Sequence, residues 1–164
     1  MPAIRTLESF DFSFQPSLIK PAEIWNLATL NFIRQRENVL FLGPPGVGKT
    51  HLSLGLALKA CQAGYKVLFT TLTDMATVLH ASQVDGSFLS ALKTFLASDL
   101  LIIDEMGYLP VEAQAANCLF QVVAGRYEQG SIIITSNKSF ADWGEMLGDP
   151  VLAEAILDRL ITLR

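Results

Sequence analysis

Between Gly43 and Thr50 the chain reads GPPGVGKT, the spacing G-x-x-x-x-G-K-[ST], set directly after the aliphatic run NVLFL and directly before a helical stretch. Glycines at these positions let successive backbone N–H groups turn toward one point. The N-terminus of the following helix adds positive partial charge, Lys49 reaches β- and γ-phosphate oxygens, and the Thr50 hydroxyl ligates Mg²⁺. A tight strand-to-helix turn accounts for the glycines but does not call for Lys-Thr after them. Gly43, Pro44, Pro45, Gly46, Val47, Gly48, Lys49, Thr50 and His51 are therefore read as the lining of a triphosphate site.

Two further stretches carry chemistry. In LLIIDE, Leu100 to Glu105, four aliphatic residues end in two acids. Open α/β sheets bind ligands at the carboxyl ends of their strands, so Asp104 falls where it can hold the magnesium shell and Glu105 where it can polarise an attacking water. That pair separates water-using NTPases from small-molecule kinases, which must exclude water. In SIIITSN, Asn137 follows another aliphatic run, and a neutral amide there can hold the water between the γ-phosphate and Glu105. Arginine is scarce: Arg5, Arg34, Arg36, Arg126, Arg159 and Arg164. On a helical wheel Arg159 shares the apolar side with Leu152, Ala155 and Ile156 while Asp158 turns away. It is either a snorkelling arginine near a helix C-terminus or a finger donated to a neighbour's γ-phosphate. Arg126, in RYEQG, is the second candidate finger and otherwise decorates a helix end. His51 and His80 fall on predicted helices away from any acid that the sequence itself places, and receive no catalytic role.

The elements that must position these residues alternate in type. Strand-like runs at Val39 to Leu42, Lys66 to Thr70, Leu100 to Ile103 and Ser131 to Thr135 are interleaved with helical patterns at Lys49 to Ala63, Thr73 to Ser82, Ser87 to Ala97, Glu112 to Gln129 and Val151 to Leu160. This is the signature of an α/β fold with a parallel sheet covered on both faces. Asp149 and Pro150 supply an N-cap and a first-turn proline for the last helix. Residues 1–37 read as a lead-in, with Phe10, Phe12 and Phe14 alternating before a helix near Ala22 to Phe32. Residues 38–164 read as the core.

Composition sets outer bounds. A chain of 164 residues with 51% hydrophobic and 17% charged residues buries one full core. No apolar run approaches the roughly 20 residues of a membrane span, and MPAIRTLESF has no secretory leader pattern, so the cytoplasm is expected and a membrane partner is not. Cys61 and Cys118 lack metal-ligand spacing and are read as buried reduced thiols. The net charge of -4 carries no basic cluster of the kind that grips DNA unaided. A nucleic-acid contact would have to come from a few residues repeated around an oligomer, or from a segment outside this chain.

With these elements in place the sequence resembles the IstB family of transposition helper ATPases, of the AAA+ class and close to the DnaC-type helicase loaders. The resemblance rests on NVLFLGPPGVGKTHL, ACQAGYKVLFTT, LLIIDEMGYLP and RYEQGSIIITSNKSFADWGEMLGDPVLAEAILDRL. It implies a P-loop NTPase fold of AAA+ type, three layers α/β/α around a parallel sheet of about five strands. It further implies binding of ATP (or ADP) with Mg²⁺, hydrolysis of ATP, self-assembly as a homo-oligomer on duplex DNA with nucleotide at subunit interfaces, and stimulation of a cognate transposase. By position, Gly43 to Thr50 match the Walker A loop, Asp104 and Glu105 the Walker B pair and Asn137 the sensor. Arg159, in ILDRL, matches the helix that presents the arginine finger. The aromatic lead-in is similar to the family's linker into the core. Family members carry a helical segment ahead of such a core and continue past its last helix, so a core trimmed at both ends is expected. The alternatives are a helicase loader, a small-molecule kinase, and a nucleotide-gated binding module in which ATP serves only as subunit glue.

Overall fold

A computed structural model of the chain describes residues 21–44, 46, 48–107 and 111–161. Four strands, β1 (Val39–Leu42), β2 (Val67–Thr71), β3 (Leu100–Met106) and β4 (Ser131–Ser136), form one sheet in the order β1-β4-β3-β2. All three pairings are parallel. The sheet matches the α/β expectation, with four strands among the described residues where about five were expected.

Strand residues alternate between two cores. Leu100, Ile102, Ile133, Val39, Phe41, Val67 and Phe69 meet one set of helices, α1 (Pro21–Leu27), α2 (Asn31–Arg34) and α3 (Lys49–Gln62), through Ile24, Phe32, Ile33, Leu52 and Leu56. Leu101, Ile103, Ile132, Ile134, Leu40, Leu42 and Leu68 meet the other set. That set comprises α4 (Leu72–Asp85), α5 (Phe88–Leu96), α6 (Ala113–Arg126), α7 (Trp143–Leu147) and α8 (Pro150–Leu160). The central strands carry aliphatics on both sides because both sides are covered, which is why they read as unbroken apolar runs. Each fully buried aliphatic contributes about 1.5–3 kcal/mol of transfer free energy, and LLII of β3 is wholly buried.

Local signals place most element ends. Gly86 closes α4 in the left-handed region at φ 82°, and Asp149 caps α8, accepting from the amides of Val151 and Leu152 at 3.0 and 3.1 Å. Four differences stand out, and three of them have tertiary causes. The expected helix from 22 to 32 breaks in two at Leu30, which takes φ 65° while burying its side chain against the α1–α3 core. The last expected helix before β4 ends at Arg126 instead of 129. β3 runs three residues beyond Ile103, because its partner β4 continues beside it to Ser136. α7 forms where its apolar ends, Trp143 and Leu147, drop into the second core. Phe10, Phe12, Phe14, Pro45 and Val47 lie outside the described residues. No described helix is long and apolar enough to cross a membrane.

Two side-chain assignments are corrected. Cys118 is buried as expected, and burial pushes its thiol up from the ordinary value, but Cys61 is exposed near the end of α3. Arg126 is neither a finger nor a surface decoration. It is 1% exposed, and its guanidinium donates to the carbonyls of Phe95 (3.1 Å) and Ser131 (2.8 Å) and to Ser98 Oγ (3.3 Å). Desolvation lowers its pKa to about 10, opposed by the nearby charge of Asp99. A Cβ on Gly130 would fall 2.6 Å from Arg126 Nη2, so the residue that ends the turn after α6 also leaves room for the strut. Arg126→Ala should lower the unfolding free energy in a urea titration by about 2–4 kcal/mol, because it leaves buried carbonyls unpaired and opens a cavity. A change below about 0.5 kcal/mol, the range of an ordinary surface substitution, would contradict this bracing role.

Candidate functional site

Every sequence-predicted acid and phosphate-loop residue that is described lies at the carboxyl edge of the sheet. β1 leads straight into the loop, whose first amide, Gly43 N–H, donates to the carbonyl of Ser136 at the end of β4 (3.1 Å). The loop is thereby tied to the strand that leads into Asn137. Gly48 sits at φ 91°, a conformation that a Cβ would strain, and α3 begins at the next residue. The unpaired amides of a helix's first turn suit a bound anion, and those of α3 open on the loop. Lys49 is 6% exposed and donates from Nζ to the carbonyls of Gly43 (2.6 Å) and Pro44 (2.8 Å), so its ammonium is held inside the loop. Burial lowers its pKa from the ordinary lysine value, and the charge of Asp104 offsets part of that effect. His51 lies half-buried in the first turn of α3.

Asp104 is 3% exposed and is held by hydroxyls from two neighbouring elements. Thr50 Oγ1, on α3, lies 3.0 Å from both carboxylate oxygens, and Thr135 Oγ1, on β4, donates to Oδ1. One carboxylate and one hydroxyl beside a phosphate loop are the hard oxygen donors that Mg²⁺ takes from protein when nucleotide phosphates supply others. The residues present fit that ion.

Glu105 is exposed, and its backbone has φ 62°. The register explains the conformation: Ile103 faces Ile134 and Met106 faces Ser136, so Asp104 and Glu105 together oppose Thr135 alone. This is a β-bulge, which interrupts the alternation and re-aims a side chain. Asp104 turns into the Thr50 and Thr135 contacts while Glu105 stays open to solvent. Left-handed backbone at a non-glycine residue costs of order 1–3 kcal/mol and persists only where surrounding contacts impose it.

Asn137 is half-buried one residue past β4, and its Oδ1 is buried with no hydrogen-bond partner. The close neighbour on that side is Gly107, at φ 94°: a Cβ there would lie 2.7 Å from Asn137 Oδ1 and 2.8 Å from Met146 Sδ. Thus the residue two after Glu105 lets the Asn137 side chain approach the end of β3.

Arg159 is not in this group. Its guanidinium stacks over the Phe120 ring at 5.1 Å and donates to the Ala155 carbonyl at 3.1 Å. It shares a surface pocket with Arg36, Asn38, Tyr127 and Phe140. The carbonyl of Leu160 accepts from Asn38 Nδ2 at 3.2 Å, which pins the end of α8 to the residue before β1. About 13 Å of strand separates that point from the chain's own phosphate loop. Two residues of the site were not singled out in the sequence, Thr135 and Gly107. A polar residue inside the otherwise aliphatic run SIIITS signals Thr135, since a buried hydroxyl needs partners. Gly107 carries no local signal, because its close approach is to a segment about thirty residues away.

Comparison with known proteins agrees with this geometry. The profile of the family described as "IstB-like ATP binding protein" matches residues 1–163. The chain is 48% identical over 161 residues to a Geobacillus stearothermophilus protein named for ATP binding in insertion sequence IS5376, covering 98% of this chain and 64% of that protein. It is also 48% identical to the corresponding protein of insertion sequence IS21 from Pseudomonas aeruginosa, covering 98% of this chain and 60% of that one. The chain therefore spans about three fifths of the length of these relatives. Among solved structures, the DnaC helicase loader superposes with a TM-score of 0.76 at 22% identity, over 94% of this chain and 92% of that chain, a likeness of fold. With its phosphate loop, paired acids and parallel sheet in this arrangement, the chain belongs to the IstB-like ATP-binding proteins, on the AAA+ fold shared with the DnaC loader.

Proposed function

We propose that this chain is the ATP-hydrolysing core of a transposition helper, which assembles on duplex DNA in the cytoplasm and stimulates the transposase of its insertion sequence. The observation that carries the hydrolytic part is the bulge at Asp104 and Glu105, which divides two adjacent acids between two tasks. Asp104, tied to Thr50, supports the metal shell; Glu105, turned away from that shell and open to solvent, supports the attacking water. Thr50 and Asp104 would hold Mg²⁺, which would supply positive charge to offset that developing on the phosphates. Lys49 would leave the Gly43 and Pro44 carbonyls for the more strongly accepting phosphate oxygens. Asn137 would orient the water with its amide, as a neutral group that does not repel the γ-phosphate.

The remoteness of Arg159 from its own loop supports a role in trans. A cation held over Phe120 at the outer end of α8 suits a neighbouring subunit's nucleotide, with nucleotide at the boundary between copies. The relatives' names tie them to insertion sequences, which favours a transposase as partner over a replicative helicase. The formal charge of -4 makes tight DNA binding by one copy of this chain unfavourable, so the proposal requires repeated contacts around an assembly or a segment outside this chain.

The deciding experiment is ATP turnover by the full-length protein with and without duplex DNA, alongside sedimentation with a non-hydrolysable ATP analogue. DNA-stimulated turnover and a large ATP- and DNA-dependent assembly are expected; DNA-indifferent turnover by a monomer would overturn the reading. Within it, Lys49→Ala should abolish nucleotide binding, whereas Glu105→Gln should retain binding and slow turnover by about 10²- to 10⁴-fold. Equal loss of binding in both would remove the division of roles. Gly107→Ala should keep nucleotide affinity but lower turnover at least about tenfold, since its Cβ displaces Asn137; unchanged turnover would free Asn137 from the water. Arg159→Ala should leave binding intact and eliminate the stimulation by DNA, and retained stimulation would exclude it as the finger.

A further inference from the structure

We infer that Thr135 is the positioning residue that sets the two acids of the site at once. The inference rests on the hydrolytic reading for its effect on turnover, and on geometry alone for its effect on Asp104. Thr135 is 2% exposed at the end of a wholly buried strand, where a hydroxyl must find partners or destabilise the fold. It uses its single proton to donate to Asp104 Oδ1 and its lone pair to accept the Glu105 amide at 2.9 Å. Glu105 N–H is the donor left without an ordinary ladder partner where two residues of β3 oppose one of β4. One side chain on β4 therefore satisfies the bulge that turns Glu105 outward at φ 62° and fixes the carboxylate that turns inward.

The arrangement is directional. Asp104 Oδ1 receives hydroxyls from α3 and from β4, so its rotation is stopped from both sides. Without the β4 hydroxyl, the carboxylate keeps only Thr50, whose oxygen is itself a candidate metal ligand. Without the acceptor for its amide, the left-handed conformation of Glu105 loses the contact that offsets its strain. Valine replaces threonine with nearly the same shape and removes both contacts. Serine restores both and removes only a methyl group.

The test compares the wild-type protein with Thr135→Val and Thr135→Ser in full-length form. Affinity for a fluorescent ATP analogue is measured in Mg²⁺ and in EDTA, with saturating turnover and thermal midpoint recorded on the same samples. In Thr135→Val, affinity in EDTA should stay within about twofold of wild type, since it reports the phosphate loop. The gain in affinity on adding Mg²⁺ should shrink by about three- to tenfold, and turnover should fall by about 10²-fold. Thr135→Ser should recover both. Equal behaviour of Thr135→Val and wild type in Mg²⁺ would overturn the inference. So would parallel loss of EDTA affinity and thermal midpoint in both variants, which would mark Thr135 as a packing residue of β4. If the wild-type protein turns over no ATP, the hydrolytic reading fails, and the Mg²⁺-dependent affinity still decides the role of Thr135.

Discussion

A carboxylate placed in the interior needs hydrogen-bond donors around it, and here that requirement joins three elements. Asp104 is on β3, Thr50 opens α3 and Thr135 ends β4, so the contacts exist only when loop, helix and both central strands are in register. The register in turn depends on aliphatic burial on two faces, since a slip of one residue would exchange the inward and outward sets of every strand. Site geometry and core packing are thus one constraint.

Strand order turns this constraint into a site. β1 lies beside β4, and β4 beside β3, although the chain visits them first, last and third. Parallel strands put all their carboxyl ends on one edge, so the phosphate loop after β1, the acids of β3 and the amide after β4 converge there. Helices cover both faces of the sheet, which leaves that edge as the place where polar groups of the central strands meet solvent. Arg159 departs from this convergence because α8 ends at the opposite end of β1. The same separation is what the proposed action on another copy's nucleotide requires.

Left-handed backbone occurs at several places in the fold, Leu30, Arg36 and Glu128 among them, and the edge that carries the site has its own share of strain and close approach. Glu105 is left-handed, Gly107 admits Asn137 at a distance that no Cβ would allow, and Asn137 Oδ1 is buried without a partner. Away from the site the polar interior is braced where it bears structure: three of the Arg126 hydrogen bonds join α5, the segment after it and the start of β4.

The chain's own pattern determined what is local. The phosphate loop is a contiguous run whose spacing carries its chemistry, the strands announce themselves as aliphatic runs, and Asp149-Pro150 starts α8 through its own capping hydrogen bonds. Those signals act over a few residues, so Lys49, Thr50, Asp104, Glu105 and Asn137 are legible in the sequence itself. Tertiary structure alone decided which strands are neighbours, that the run to Phe32 breaks at Leu30, and that β3 bulges at its acids. It also settled Arg126: the polar surroundings in RYEQG suggest a surface residue, although its spacing of seven from Leu119 and four from Val122 puts it on the buried stripe of α6. Thr135 and Gly107 stayed hidden for the same physical reason. Their roles are contacts across about thirty residues of sequence, made only once hydrophobic burial has set two strands side by side.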